Sequence, residues 1–109
     1  MNITVIGTGY VGLVTGACLS NVGNKVTCFD IDKDKIALLN DKKVPIYEPE
    51  LEQKILLGLD SSNLIFTHNE EESIQVSDLI FITVGTPTLD NSQINHLLGS
   101  KSNQRIPFL

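Results

Sequence analysis

The sequence has 109 residues and a formal net charge of −5, with 41% hydrophobic and 19% charged residues. This length allows one domain at most, and the composition is typical of a folded, soluble core. The charge is negative and no basic cluster is present, which argues against nucleic acid and anionic membrane surfaces as partners. Residues 3–22 are mostly apolar or small, but glycines interrupt them and no basic segment precedes them. We therefore expect neither a signal peptide nor a membrane span, and a cytoplasmic location.

The first predicted unit is a strand, a turn, a helix and a second strand. The strand covers residues 2–6 and the second strand covers residues 25–29, ending at Asp30. Between them a helix is predicted over residues 10–22. Its valines and one cysteine recur at three- and four-residue spacing, and we expect them to face the sheet: Val11, Val14, Cys18 and Val22.

The turn after the first strand carries glycines at positions 7, 9 and 12, a pattern that indicates a dinucleotide site. Gly7 allows the sharp turn, Gly9 allows a pyrophosphate to approach the backbone, and Gly12 allows the helix to pack closely on the strand. The helix N-terminus presents N–H groups and the positive end of its dipole to the phosphates. Asp30 follows Gly12 by 18 residues, close to the spacing of about 20 for an acid that binds a ribose 2′-hydroxyl. Asp30 and Asp32 would repel a 2′-phosphate, so the cofactor is predicted to be NAD and not NADP.

The rest of the chain continues the alternation of helices and strands. Asp32 is a candidate N-cap for a helix to residue 40, and Pro49 is placed to begin a third helix. A short strand at residues 63–67 and a short helix at residues 70–76 follow, and then residues 78–84 form the most apolar strand. The predicted fold is therefore α/β, a Rossmann-type, parallel, doubly wound sheet with strand order 3-2-1-4.

The fourth strand ends in Val84, Gly85, Thr86 and Pro87. Open α/β sheets bind ligands at the carboxyl ends of their strands. Gly85 permits close approach and Thr86 offers a hydroxyl group. From the residues alone, a cofactor contact and a plain turn are about equally good interpretations.

Four ordered blocks make the chain resemble the UDP-glucose/GDP-mannose dehydrogenase family over residues 1–87. The blocks are GTGYVGL at residues 7–13, FDID at 29–32 followed by Lys35, PIYEP at 45–49 and DLIFITVGTP at 78–87. The resemblance implies two Rossmann-like domains with NAD in the first, and oxidation of a sugar C6 alcohol to a carboxylate through a thioester on cysteine. UDP-glucose is the favoured sugar.

The resemblance also implies roles for individual residues. Tyr10 and Val11 would lie at the pyrophosphate turn, Asp30 and Lys35 at the adenosine ribose, and Thr86 at the cofactor. Together with Gly7, Gly9 and Gly12, these residues form the predicted cofactor site. No catalytic residue and no metal ligand is expected within the chain.

Two features limit this interpretation. Glu50 stands where the family usually has glycine, and from residue 88 the sequence departs from the family pattern. We expect residues 1–87 to be a partial NAD-binding domain and residues 88–109 to be a divergent or truncated tail. The chain alone would then be inactive, would bind UDP-glucose only with a further catalytic part, and would not form the family's homo-oligomer.

Alternatives remain open at this point. The chain could be a non-catalytic NAD-binding remnant or regulatory module, or the NAD-binding part of another nucleotide-sugar dehydrogenase. A hydroxyacyl-CoA dehydrogenase fits less well, because VPIYEP and VGTP argue against it. Cys18 and Cys28 are expected to be free, buried thiols and not the catalytic nucleophile.

Overall fold

A computed structural model describes residues 1–45, 47–74 and 77–83. Its elements in chain order are β1 (Asn2–Ile6), α1 (Tyr10–Asn21), β2 (Lys25–Phe29), α2 (Lys33–Asn40), α3 (Pro49–Asp60), β3 (Leu64–Thr67), α4 (Glu70–Ile74) and β4 (Leu79–Ile82). The end of the fourth block, residues 84–87, lies outside the described residues. So do Ile46 and the predicted division at residue 87.

The four strands form one parallel sheet in the order β3-β2-β1-β4. The predicted fold class and strand order are thus confirmed. In the β1–β2 ladder Ile6 lies beside Phe29, and in the β1–β4 ladder Ile6 lies beside Ile82. This register brings the carboxyl ends of three strands together at one edge of the sheet, where a ligand of an open α/β sheet is expected.

The core lies between the sheet and the helices packed on it. Its fully covered side chains come from the strands and from the helices, and include Val5, Leu13, Val26, Leu39 and Ile55. The inward residues of α2, Ile36 and Leu39, are 3% and 0% exposed. Burial of this apolar surface is the main favourable term for the fold.

The prediction of which α1 residues face the sheet is wrong. Val11 and Val22 are 61% and 76% exposed, Cys18 is exposed, and Val14 is only half-buried. The residues buried in α1 are instead mostly small: Gly12, Leu13, Gly16, Ala17 and Ser20. The cause is the short distance between the helix and β2, since a Cβ added at Gly16 would lie 2.7 Å from the Cys28 Sγ. Valines do not fit into that space.

The two cysteines are both free, as predicted, but only one is buried. Cys28 lies in β2 and is fully covered, whereas Cys18 is exposed on α1. Burial raises the pKa of the Cys28 thiol to about 12. Desolvation disfavours the charged thiolate, so Cys28 is not a nucleophile near neutral pH.

No helix within the described ranges is both long and apolar enough to cross a membrane.

Candidate functional site

The candidate site begins where β1 ends, at the glycine turn (residues 7–12). Gly7 has φ 106°, in the left-handed region that favours glycine. Its N–H donates to the Phe29 carbonyl at 2.8 Å, which extends the β1–β2 ladder by one position. The chain then reverses and α1 starts at Tyr10. The sharp turn predicted at Gly7 is therefore present.

Gly9 and Gly12 have different surroundings. A Cβ added at Gly9 would meet no atom within 4 Å, so the space beside this residue is open. A Cβ at Gly12 would lie 2.0 Å from the Gly7 carbonyl oxygen and 2.8 Å from the Thr83 Oγ1. Gly12 thus allows close contact between the helix and the end of the sheet, and Gly9 leaves room for a ligand at the turn.

The N-terminus of α1 is a suitable anion site. Gly9 is its N-cap and no side chain caps the helix, and no acidic residue lies in its first turn. The first N–H groups of a helix have no partner within that helix, and the dipole adds positive potential there. By contrast, α2 is capped by the Asp32 carboxylate, which accepts from the Lys35 N–H at 3.1 Å.

Tyr10 and Val11 lie in the first turn of α1, and both are exposed, at 55% and 61%. The Tyr10 hydroxyl donates to the Glu48 Oε2 at 2.9 Å. Glu48 is the N-cap of α3, so this hydrogen bond joins the start of α3 to the glycine turn. The bond to the Glu48 carboxylate raises the pKa of Tyr10 above its ordinary value. Sequence reasoning missed Glu48, which lies within the PIYEP block.

Asp30 lies directly after β2 and is only 3% exposed. Its Oδ2 accepts from the Thr8 N–H at 3.0 Å and from the Thr8 Oγ1 at 2.6 Å. Its Oδ1 accepts from the Asp32 N–H at 3.0 Å. Sequence reasoning predicted an acid at the tip of this strand but did not identify Thr8 as its partner. The β1–β2 register is a partial signal, because one further step of it pairs Gly7 with Asp30 and so brings the neighbouring Thr8 close to the acid.

Thr83 follows β4 and completes this edge of the sheet. Its N–H and its Oγ1 both donate to the Ile6 carbonyl at 2.9 Å, and the Oγ1 also lies 3.3 Å from the Gly7 carbonyl oxygen. Thr83 was not singled out from the sequence. Its hydroxyl holds the end of β4 against the glycine turn. The predicted contact at Thr86 lies outside the described residues.

Lys35, the remaining predicted site residue, is half-buried in the first turn of α2. The structure therefore brings Gly7, Gly9, Tyr10, Val11 and Gly12 together in one turn, with Asp30 against it and Lys35 on the next helix. Among the described residues, no group of three or more histidine, cysteine, aspartate or glutamate side chains is arranged to hold a metal ion.

This arrangement fits a dinucleotide. An uncapped helix N-terminus with open space at Gly9 can accept a pyrophosphate. A carboxylate can accept about four hydrogen bonds, and Asp30 accepts three from the protein. One acceptor position on its Oδ1 is left for a hydroxyl donor such as a ribose. A 2′-phosphate in that position would meet a negative charge.

Comparison with known proteins agrees with this geometry. Residues 1–104 match the sequence profile of the UDP-glucose/GDP-mannose dehydrogenase family, NAD binding domain. The chain is 49% identical over 85 residues to UDP-glucose 6-dehydrogenase TuaD of Bacillus subtilis, which covers 78% of this chain and 18% of that protein. The chain thus spans about a fifth of the length of the curated relatives that it matches.

Solved structures show the same fold. A GDP-mannose dehydrogenase from Pseudomonas aeruginosa, crystallised as a ternary complex, superimposes with a TM-score of 0.74 at 39% identity, over 85% of this chain and 21% of that one. A UDP-D-ManNAc dehydrogenase from Pyrococcus horikoshii gives a TM-score of 0.81 at 26% identity, over 99% of this chain and 28% of that one.

Proposed function

This chain belongs to the UDP-glucose/GDP-mannose dehydrogenase family and is its NAD-binding domain, and we propose that it serves a UDP-glucose 6-dehydrogenase. That reaction would oxidise UDP-glucose to UDP-glucuronate with two NAD. The proposal is supported by the 49% identity to the UDP-glucose 6-dehydrogenases of Bacillus subtilis and Rickettsia conorii. Within the reaction, this domain would hold the NAD that accepts the hydride.

The glycine turn and Asp30 are the proposed cofactor contacts. Gly9 and the first N–H groups of α1 would bind the pyrophosphate, and the exposed Val11 would lie beside it. The Asp30 Oδ1 would accept from the adenosine ribose. The observation on which this assignment depends is the combination of an uncapped helix N-terminus with a carboxylate fixed against the same turn. Lys35 and Thr86 complete the proposed set by resemblance to the family.

The chain alone is proposed to bind NAD without oxidising a sugar. The Cys28 thiol is buried and protonated near neutral pH, so it is not able to form a thioester. Cys18 is exposed on α1 but is not among the residues grouped at the glycine turn. We also expect the cytoplasm as the location, since two free thiols suit a reducing compartment, and no homo-oligomer of this chain alone.

A second candidate is the NAD-binding part of another nucleotide-sugar dehydrogenase. The observation that favours it is the TM-score of 0.81 to the UDP-D-ManNAc enzyme, higher than the 0.73 to a UDP-glucose dehydrogenase from Pyrobaculum islandicum. Every contact proposed above is to the cofactor, so these contacts do not distinguish between sugars. Both candidates require the same NAD site.

Calorimetry with NAD tests the site. Asp30→Ala should weaken NAD binding about 10- to 100-fold, because a hydrogen bond to a charged group contributes about 1.5–3 kcal/mol. Asp34→Ala is the matched control, since Asp34 is an exposed acid in the first turn of α2. Unchanged NAD affinity in Asp30→Ala, with normal folding, would remove Asp30 from the proposed site. Absence of NAD binding by the unaltered chain would overturn the proposed function.

A further inference from the structure

Thr8 is the residue between the first two glycines of the turn, and its side chain is fully buried at 0% exposure. It makes two hydrogen bonds to one carboxylate oxygen, from its N–H at 3.0 Å and from its Oγ1 at 2.6 Å to the Asp30 Oδ2. The shorter of these has the usual length for a hydroxyl that donates to a carboxylate, about 2.5–2.7 Å. Both bonds join the glycine turn to the acid at the end of β2.

The partners of Asp30 leave its two oxygens unequal. Oδ2 accepts two hydrogen bonds from Thr8, while Oδ1 accepts one from the Asp32 N–H. The ion pairs of Lys42 with Asp60 and of Lys43 with Asp41 do not include Asp30. The orientation of the carboxylate therefore depends on hydrogen bonds, and only Thr8 supplies a side-chain donor among the contacts described above.

We propose that Thr8 is a positioning residue that determines the preference for NAD over NADP by holding the Asp30 carboxylate with Oδ1 toward the ribose. This inference rests on the proposed function of Asp30. Thr8 itself does not touch the ribose in this scheme. With Oδ2 satisfied by Thr8, Oδ1 is the oxygen that accepts the 2′-hydroxyl of NAD and repels the 2′-phosphate of NADP.

A loss of the Thr8 hydroxyl has a defined consequence. In Thr8→Val a methyl group replaces the hydroxyl beside Oδ2, in a buried place where a carboxylate without its donor is unfavourable. Asp30 then keeps only the two backbone hydrogen bonds, from the N–H groups of residue 8 and Asp32, and its carboxylate is held less firmly in the position that the ribose requires. NAD binding loses a contact, whereas NADP binding loses a repulsive charge, so the ratio of the two affinities falls.

The test compares NAD and NADP affinities by calorimetry in variants of the full 109-residue chain. Thr8→Val should weaken NAD binding about tenfold, on the scale of one hydrogen bond to a charged group, and should weaken NADP binding less. Thr8→Ser keeps the hydroxyl and should restore the ratio to within about twofold. Thr15→Val is the matched control, since the Thr15 hydroxyl donates to the Val11 carbonyl in its own helix.

A double variant separates positioning from a general structural effect. If Thr8 acts through Asp30, Thr8→Val combined with Asp30→Ala should bind NAD no more weakly than Asp30→Ala alone, because coupled residues are not additive. Additive losses would overturn the inference, and so would an unchanged NAD to NADP ratio in Thr8→Val. Thr8→Ala, which removes bulk as well as the hydroxyl, replaces Thr8→Val if the latter does not fold, as judged by circular dichroism.

The outcomes also distinguish this inference from the proposed function. If Asp30→Ala weakens NAD binding and Thr8→Val leaves the ratio unchanged, the site stands and the role of Thr8 is wrong. If Asp30→Ala has no effect on NAD binding, the assignment of Asp30 fails, and the role of Thr8 fails with it.

Discussion

The substitution Gly12→Ala should destabilise the fold, although alanine is normally the better helix residue. The added Cβ would lie 2.0 Å from the Gly7 carbonyl oxygen, and real Cβ contacts are essentially never shorter than 3.0 Å. The helix and the turn would have to separate by about 1 Å, and rotation of a side chain cannot relieve a contact with backbone. The Thr83 Oγ1 at 2.8 Å adds a second contact that would shift, and this hydroxyl is bonded to the Ile6 carbonyl.

The size of the stability change in Gly12→Ala follows from two opposing effects. Overpacking in a dense region typically costs about 1–3 kcal/mol, and more where backbone must move. Replacing glycine by alanine in a helix gains up to about 1 kcal/mol, less here because Gly12 is in the first turn. A net loss of about 2 kcal/mol is expected, equivalent to roughly 8–16 °C in the melting temperature of a domain of this size. Urea denaturation followed by circular dichroism measures this difference.

Gly9→Ala is the matched control, because it adds the same methyl group three residues away. No atom lies within 4 Å of that position, and φ is −72°, so alanine fits the backbone. The expected stability loss is at most about 1 kcal/mol, from the poorer N-cap. NAD binding should be weakened, since the methyl group occupies the space proposed for the pyrophosphate. A Gly12→Ala variant as stable as the unaltered chain would refute the packing argument.

Two further predictions concern titratable groups. Burial raises the pKa of Cys28 from 9.0 to about 12, so its contribution to stability is complete below pH 9.0 and is lost as the pH rises toward 12, because the unfolded chain releases the proton first. A thiol reagent should therefore label Cys18 alone in the native chain and both thiols in urea; two rapid reactions without urea would contradict the burial of Cys28. The pKa of Tyr10 lies above 10.0 because of the hydrogen bond to Glu48. In a Tyr47→Phe background, where Tyr10 is the only tyrosine, Glu48→Gln should lower the phenolate midpoint in an absorbance titration, and equal midpoints would show that the hydrogen bond does not form.

The fold was predictable because its determinants are local or follow a general rule. Apolar runs separated by helical segments indicate parallel strands, and the right-handed crossover rule restricts their order. The bounds predicted for β1 and β2 agree with the structure. The Asp32 N-cap was also predictable, since a cap depends on a residue and the N–H groups of the next turn.

The inward face of α1 was not predictable from periodicity alone. Valines at three- and four-residue spacing indicate an apolar face, but the distance between the helix and the sheet decides which residues fit. That distance is short, as the space at Gly16 shows, and it selects small side chains. The same error placed Cys18 in the core. A stripe of small residues beside the glycine turn was the signal that outweighed the valines.

The hydrogen bonds of Asp30 illustrate what the spacing of a sequence motif does not predict. The spacing from Gly12 gives the position of an acid at the end of β2, but not how its carboxylate is held. That depends on the turn after β1: one further step of the β1–β2 register pairs Gly7 with Asp30, and the turn at Gly7 directs Thr8 to the carboxylate. A motif that treats position 8 as variable therefore omits the residue that bonds to the acid.

The connection through Thr8 has a consequence for the whole site. Two hydrogen bonds from Thr8 to Asp30 join the turn proposed for the pyrophosphate to the acid proposed for the ribose. A displacement of the turn, such as the one that Gly12→Ala would cause, should therefore also move the Asp30 carboxylate. Gly12→Ala should then lower the NAD to NADP preference as well as stability, whereas Gly9→Ala should weaken both cofactors alike, since both contain the same pyrophosphate.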